Sequence, residues 1–224
     1  MRYIYIMPKM SDAAKIAQAH MRYQIGENRE RQDKYVKRKL GRIGYELDGE
    51  NTNRDILTAK RGDNIHINYN GTNVSSPRDL LSDVALATGI QKTNPQFTAR
   101  RRKTRDIMRQ YGDDKDYSLG GYSLGGSVGL DIMGSSKSIR DRVNKVHVFN
   151  PGYTKMFHDS IKVDKNVKKE LDKKVNIHRT KGDVVSAHAN KEVSFGNLFE
   201  YKSEDPQADL TDKHSIDNFV NVDM

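Results

Sequence analysis

Between residues 11 and 40, Ala13, Ile16, Ala17 and His20 recur at helical spacing, and Ser11 and Asp12 stand where a helix would be capped. Residues 26–40 are mostly charged and read either as an extension of that helix or as an exposed arm. From about residue 41 the pattern becomes strands and helices in alternation. Residues 55–59 fit a short strand or helix. At 64–69, Ile65 and Ile67 alternate with His66 and Asn68, which predicts a strand, and Asn70-Gly71 marks the turn after it. Ser76-Pro77 opens a helix to about Thr88, closed by Gly89, with Leu80, Val84 and Ala87 on one face. A second helix is expected over 98–111.

Residues 117–120 predict a short strand that runs straight into a glycine-rich turn and an apolar helix over 124–133, ended at Gly134-Ser135-Ser136. Residues 143–149 predict a strand broken by Asn150-Pro151-Gly152. Residues 166–174 read as a basic helix or turn, and 175–179 as a strand. The tail, 184–224, reads as irregular, with aromatic points at Phe195, Phe199, Tyr201 and Phe219. Strands separated by helices predict a mostly parallel sheet flanked by helices. In such sheets chemistry gathers beyond the carboxyl ends of the strands. That directs attention to Gly71-Thr72, Ser123, Asn150-Pro151 and Asp183.

The expected organisation is an N-terminal basic helical segment, 1–40, followed by one domain, 41–224. A chain of 224 residues suffices for one sizeable core. Lys and Arg number 39 against 30 Asp and Glu, a formal charge of +9. The excess clusters at Lys34, Lys37, Arg38, Lys39 and Arg42, and again at Arg100, Arg101, Arg102, Lys103 and Arg105. Each run reads first as a solvated helix face. An anionic membrane surface or nucleic acid is the partner such runs would suit, though no RNA-binding or zinc-finger signature accompanies them. The absence of cysteine excludes disulfides, thiolate metal sites and a cysteine nucleophile, and favours a reducing compartment. The apolar start at Tyr3–Met7 is shorter than a signal-peptide core and nothing has the length of a transmembrane helix, so a cytoplasmic or virion-associated location is expected.

The candidate chemistry begins at Gly121-Tyr122-Ser123-Leu124-Gly125, a G-x-S-x-G. A serine on a tight strand-to-helix turn exposes its hydroxyl, and glycines two places before and after remove side chains that would clash there. The bare pattern arises by chance in roughly one chain of this length in thirteen. A strand before it, an apolar helix after it, and Gly126 and Gly129 beyond are what give it weight. A serine nucleophile needs a base and an orienting acid. In this arrangement the chain order is serine, acid, histidine. Asp183 follows a predicted strand. His188 and His214 lie downstream of it. His188, five residues past Asp183, is close to the acid, but the intervening chain normally needs more length to swing the ring over the serine; His214, 31 residues on, is preferred. Seven histidines without cysteines or an H-E-x-x-H spacing do not suggest a metal. His66, His147 and His178 sit within strands; His20 and His158 precede or interrupt helices. For the oxyanion, one donor is expected from the backbone N–H of Leu124 and the other from Thr72, in the loop that Gly71 allows to turn. Asp79 is placed either to hold that loop or to complement a helix N-terminus.

With these residues together, the chain resembles the class 3 lipase family. The likeness rests on Tyr69-Asn70-Gly71-Thr72, Gly121-Tyr122-Ser123-Leu124-Gly125-Gly126, Phe149-Asn150-Pro151-Gly152, Asp183-Val184 and His214, and covers about residues 41–220. It is also similar to lipase-like proteins of large DNA viruses, in which a Gly-Tyr-x-x-Asp segment (Gly44-Tyr45-Glu46-Leu47-Asp48) precedes the core. Asn70 stands where the family usually has Arg, and Tyr122 where it usually has His. Residues 73–81 lie where the family carries a lid. The resemblance implies an α/β-hydrolase fold and hydrolysis of lipid esters by Ser123, Asp183 and His214, with no cofactor. The competing expectation is a non-catalytic lipase-like scaffold or virion protein that binds nucleic acid or membrane through its basic runs.

Overall fold

The computed structural model describes residues 9–23, 28–71, 95–186, 194–203, 210–220 and 222. A seven-stranded sheet runs through them in chain order: β1 (Glu46–Asp48), β2 (Ile56–Arg61), β3 (Asn64–Tyr69), β4 (Asp116–Tyr122), β5 (Val143–Phe149), β6 (Val175–Thr180) and β7 (Asn197–Tyr201). β1, β2 and β3 pair antiparallel, and from β3 to β7 every pairing is parallel. The two-residue connection Gly62-Asp63, with Gly62 at φ 58, closes the β2–β3 hairpin. Residues 55–59, ambiguous from their pattern, belong to β2 and its approach.

Helices flank this sheet: α1 (Met10–Tyr23), α2 (Arg29–Gly41), α3 (Pro95–Tyr111), α4 (Leu124–Ser135), α5 (Lys137–Arg140), α6 (Lys155–Ser160), α7 (Lys165–Lys174), α8 (Leu210–His214) and α9 (Asp217–Val220). The mostly parallel sheet flanked by helices is the architecture expected from the alternation of elements. Residues 11–40 hold two helices, and Asn28 starts the second by accepting the Arg31 N–H at 3.1 Å. α3 begins at Pro95 rather than near 98, since proline at the first helical position loses no hydrogen bond. The tail is not irregular throughout: it carries β7, α8 and α9. The predicted helix over 76–88 lies outside the described residues.

The two faces of the sheet differ in chemistry. Ile65, Ile67, Tyr69, Tyr117, Leu119, Val146, Val148, Val175 and Ile177 form one buried apolar cluster with α3, α4 and α7. The opposite face carries His66, Asn68, Ser118, His147 and His178, all buried. α1 lies over that face with Ala13, Ala14 and Ala17 against Phe149 and the aromatic residue Phe219 of α9. α2 packs outside α1 through Val36 and Leu40.

The Gly44-Tyr-x-x-Asp segment is a structural tie. Tyr45 is buried, and Asp48 Oδ2 accepts from Tyr111 Oη at 2.5 Å and Asn51 Nδ2 at 2.8 Å, fastening β1 to the end of α3. The second basic run is not simply a solvated face. Arg102 and Arg105 are exposed, but Arg100 is buried with its guanidinium on the Asn70 carbonyl (3.1 Å) and Asp55 (3.0 Å), and Arg101 pairs with the buried Asp131 of α4 at 2.6 Å.

Candidate active site

β4 ends at Tyr122, α4 begins at Leu124, and Ser123 makes the whole turn between them. Its backbone sits at φ 55, ψ −127, a region that side chains rarely adopt and that persists only where the surroundings enforce it. The surroundings here are three close backbone approaches. A Cβ on Gly121 would run into the carbonyl of Gly125, and one on Gly125 into the carbonyl of Tyr69. A Cβ on Gly71 would stand 2.9 Å from the Tyr122 carbonyl and 3.1 Å from Ser123 Cβ. Ser123 is then tied by its N–H to the Phe149 carbonyl (3.0 Å), and its own carbonyl accepts from Gly126 (2.9 Å) and Gly152 (3.2 Å).

Asp183 follows β6 by way of Gly182, which turns the chain at φ 84. It is 2% exposed, and its carboxylate is saturated with donors. Oδ1 accepts from the Val185 N–H (3.2 Å), and Oδ2 from the Ser186 N–H (3.0 Å) and the Ser186 hydroxyl. His214, the last residue of α8, lies over Ser123. Its Nδ1 is 3.0 Å from Asp183 Oδ1 and its Nε2 is 3.0 Å from Ser123 Oγ. The fold thus brings Ser123, Asp183 and His214 into one hydrogen-bonded chain, within reach of proton transfer at the serine.

Leu124 is the first residue of α4, so its N–H has no acceptor within the helix. It opens beside Gly71, whose added Cβ would lie 3.7 Å from the Leu124 nitrogen. Thr72, Asp79, the segment 73–81 and His188 lie outside the described residues. Asn70 uses its side chain locally: Oδ1 accepts from the Gly71 N–H at 3.0 Å, and Nδ2 donates to the carbonyls of His20 and Arg54, each at 3.2 Å. The sequence pattern alone gives no role at the site to Ser186 or Arg100. Ser186, three residues past Asp183, had a local signal, since a serine there can bond an aspartate that opens a turn.

Of the other described histidines, His20, His66, His147 and His178 serve the sheet. His147 Nδ1 lies 2.9 Å from His178 Nε2, and His178 Nδ1 lies 3.0 Å from Tyr201 Oη. His66 Nδ1 meets Ser118 Oγ at 3.0 Å. His20 lies inside α1 rather than at a helix boundary and meets the Asn68 side chain at 3.0 Å. His158 bonds Tyr153 Oη at 3.2 Å. Among the described residues no group of three or more His, Cys, Asp or Glu side chains could hold a metal ion. Among them too, no helix is long and apolar enough to cross a membrane.

No protein-family model and no curated protein sequence matches the chain. Among solved structures it is similar to a lipase from Rhizopus microsporus var. chinensis, at 13% identity over 88% of this chain and 74% of that one, with a TM-score of 0.43. It is similar to the Rhizomucor miehei triacylglyceride lipase at 13% identity over 91% of each chain, with a TM-score of 0.46. An esterase/lipase from an uncultured bacterium aligns at 10% identity over 85% of this chain and 88% of that one, with a TM-score of 0.34.

Proposed function

We propose that this chain is a serine ester hydrolase of the lipase or esterase type. Ser123 Oγ attacks the ester carbonyl carbon while His214 Nε2 takes its proton. Asp183 holds the ring through Nδ1–H and stabilises the imidazolium. The oxyanion is met by the N–H of Leu124 and by Thr72. His214 then returns the proton to the leaving alcohol, whose C–O bond breaks to leave an acyl-Ser123 ester. Water repeats the sequence, with His214 as its base, and releases the acid. No cofactor enters. The observation that carries the reading is the Asp183–His214–Ser123 chain, with both imidazole contacts at 3.0 Å and the serine on a strained turn. The resemblance to class 3 lipases agrees with it.

Fluorophosphonate labelling tests the reading directly. Ser123 is expected to be the modified residue, located by peptide mass, and Ser123→Ala is expected to abolish the label. A chain-length series of p-nitrophenyl esters and thioesters then separates lipase, esterase and thioesterase. An unlabelled Ser123 in a protein that binds DNA with a steep salt dependence would instead favour a non-catalytic scaffold.

The substrate is placed here at an anionic lipid interface, a phospholipid among the candidates. Arg31, Lys34, Lys37, Arg38 and Arg42 project from α2 and its end, exposed and without an ion pair among the described residues. Some exposed lysines elsewhere are paired, as in Lys137–Asp141 and Lys162–Asp159. Each cation near an anionic leaflet contributes about 1 kcal/mol. Co-sedimentation is expected with vesicles of anionic phospholipid, lost in half-molar salt and weakened at least about tenfold by Lys34→Glu with Lys37→Glu and Arg38→Glu. Equal binding to neutral phosphatidylcholine vesicles would remove the electrostatic role.

A further inference from the structure

His214 ends a helix of five residues, and the last carbonyls of a helix have no N–H partner within it. Side chains from elsewhere take them. Asn218 Nδ2 donates to Asp212 O at 2.7 Å and Ser215 O at 3.1 Å. The carbonyl of His214 itself receives two donors, Tyr122 Oη at 2.8 Å and Asn150 Nδ2 at 2.9 Å, and Asn150 Nδ2 also reaches Lys213 O at 3.1 Å. Tyr122 immediately precedes the serine, and its ring centroid is 5.1 Å from that of the imidazole. Burial, with the charges of Asp183 and Asp217 behind it, pushes the Tyr122 phenol well above its ordinary range, so the hydroxyl stays a donor.

Asn150 is fixed just as firmly. Fully buried, it adopts φ 39, a left-handed conformation that asparagine tolerates better than most residues. Its N–H donates to the His178 carbonyl and its Oδ1 accepts from the Thr180 N–H, both at 2.8 Å. His178 and Thr180 belong to β6, the strand that delivers Asp183. One asparagine therefore joins the strand carrying the acid to the helix carrying the imidazole. A glycine would satisfy the backbone angle alone; the amide is what grips α8.

Resting on the hydrolase reading above, we infer that Tyr122 and Asn150 are positioning residues. They clamp the His214 carbonyl from two sides so that Nδ1 and Nε2 meet Asp183 and Ser123 together. The clamp accounts for the departure at position 122, because tyrosine has the length to carry a hydroxyl to that carbonyl.

The test uses Tyr122→Phe, which keeps the ring, and Asn150→Gly and Asn150→Asp. The aspartate retains an acceptor for the Thr180 N–H but presents an oxygen, not a donor, to the His214 carbonyl. Steady-state kinetics on a p-nitrophenyl ester, the fluorophosphonate rate at Ser123, the melting temperature, and the downfield proton NMR signal of His214 Nδ1–H are read together. A displacement near 1 Å costs about a hundredfold in rate, and partial loosening less. Each single variant is therefore expected to lose about tenfold in kcat, and Tyr122→Phe with Asn150→Asp about a hundredfold. KM should stay within about twofold, and the downfield proton should broaden or shift. The clamp is overturned if variants folded as wild type keep kcat within twofold and leave that proton unchanged, or if KM alone moves. Tyr122→Phe decides the matter should the Asn150 variants fail to fold. Failure of the hydrolase reading looks different, because wild type itself would neither hydrolyse esters nor label at Ser123. The NMR signal then still decides the clamp: a shift in the variants supports it, and an unchanged signal overturns it.

Discussion

Taking this protein from pH 7 to pH 5 is expected to remove most of its stability, with cooperative unfolding between about pH 5.5 and 4. The cause lies in the polar face of the sheet. Burial lowers His20 and His66 to about 3 and His147 to about 4, and holds His178 well below the ordinary value. The pattern of bonds suits neutral rings. His147 Nδ1 and His178 Nε2 face each other at 2.9 Å, so one of them must keep a lone pair to accept from the other, which protonation of both rings would abolish; His178 Nδ1 bonds Tyr201 Oη at 3.0 Å. In the unfolded chain these four imidazoles protonate near 6.5, whereas in the folded chain His20 and His66 do so only at about 3, His147 at about 4, and His178 well below its ordinary value. Between those limits the unfolded chain holds more protons, so stability falls as pH falls. His20, His66 and His147 each contribute about 2 kcal/mol of destabilisation by pH 5, about 6 kcal/mol together, and His178 adds to it in the same direction, a total comparable with the whole stability of a typical domain. Urea unfolding at a series of pH values gives the proton uptake directly. About four protons per molecule are expected near pH 5, and about three in His147→Gln. A stability that stays flat from pH 6.5 to 5 would mean that the rings are charged or solvated in the native state.

The same face shows why part of the fold was legible and part was not. Alternation at Ile65 and Ile67 identifies a strand, because a period of two is a local property. It does not say that the intervening His66 and Asn68 will be buried under a helix rather than left in water. That depends on the alanines of α1, which lie far away in the chain. The serine turn was legible for the opposite reason. Its requirement for glycine at 121 arises within five residues, from the Gly125 carbonyl; the one at 125 comes from the Tyr69 carbonyl of β3, yet both leave their mark in one short pattern. Chain order then selected Asp183 and His214, which the fold hydrogen-bonds to each other, with His214 in turn bonded to Ser123. β7 escaped because an edge strand is half exposed, and Asn197 and Glu200 interrupt its apolar run. Arg100 escaped because a buried guanidinium within a basic run looks like its solvated neighbours until its acceptors, the Asn70 carbonyl and Asp55, are in place. Tyr122 read as a departure from a family pattern; its partner is a carbonyl 92 residues downstream, and no spacing rule announces such a contact.

Ser123→Ala and His214→Ala are each expected to reduce kcat by about 10⁴- to 10⁶-fold, and the double variant no further. The non-additivity follows from the geometry. In the proposed mechanism the serine hydroxyl depends on His214 Nε2, its hydrogen-bond partner, as the acceptor of its proton, and an imidazole without the hydroxyl has no bond to make. Once either is gone, what remains is the oxyanion site and substrate binding, which the second substitution leaves intact. Asp183→Asn should lower kcat by about 10⁴-fold by favouring the wrong imidazole tautomer. It should also destabilise the fold, which neither of the other variants need do. Four donors converge on the two carboxylate oxygens: the His214 ring, the N–H groups of Val185 and Ser186, and the Ser186 hydroxyl. An amide must turn its NH₂ towards one pair of them. The stranded donors are buried, and the loss is expected to be about 1–3 kcal/mol, read as a lower urea midpoint. Pre-steady-state acylation and urea titration on the same four proteins separate the two effects. Single losses at Ser123 and His214 that multiply in the double variant, or a His214→Ala protein within tenfold of wild type, would show that these residues act independently and that another group carries the proton.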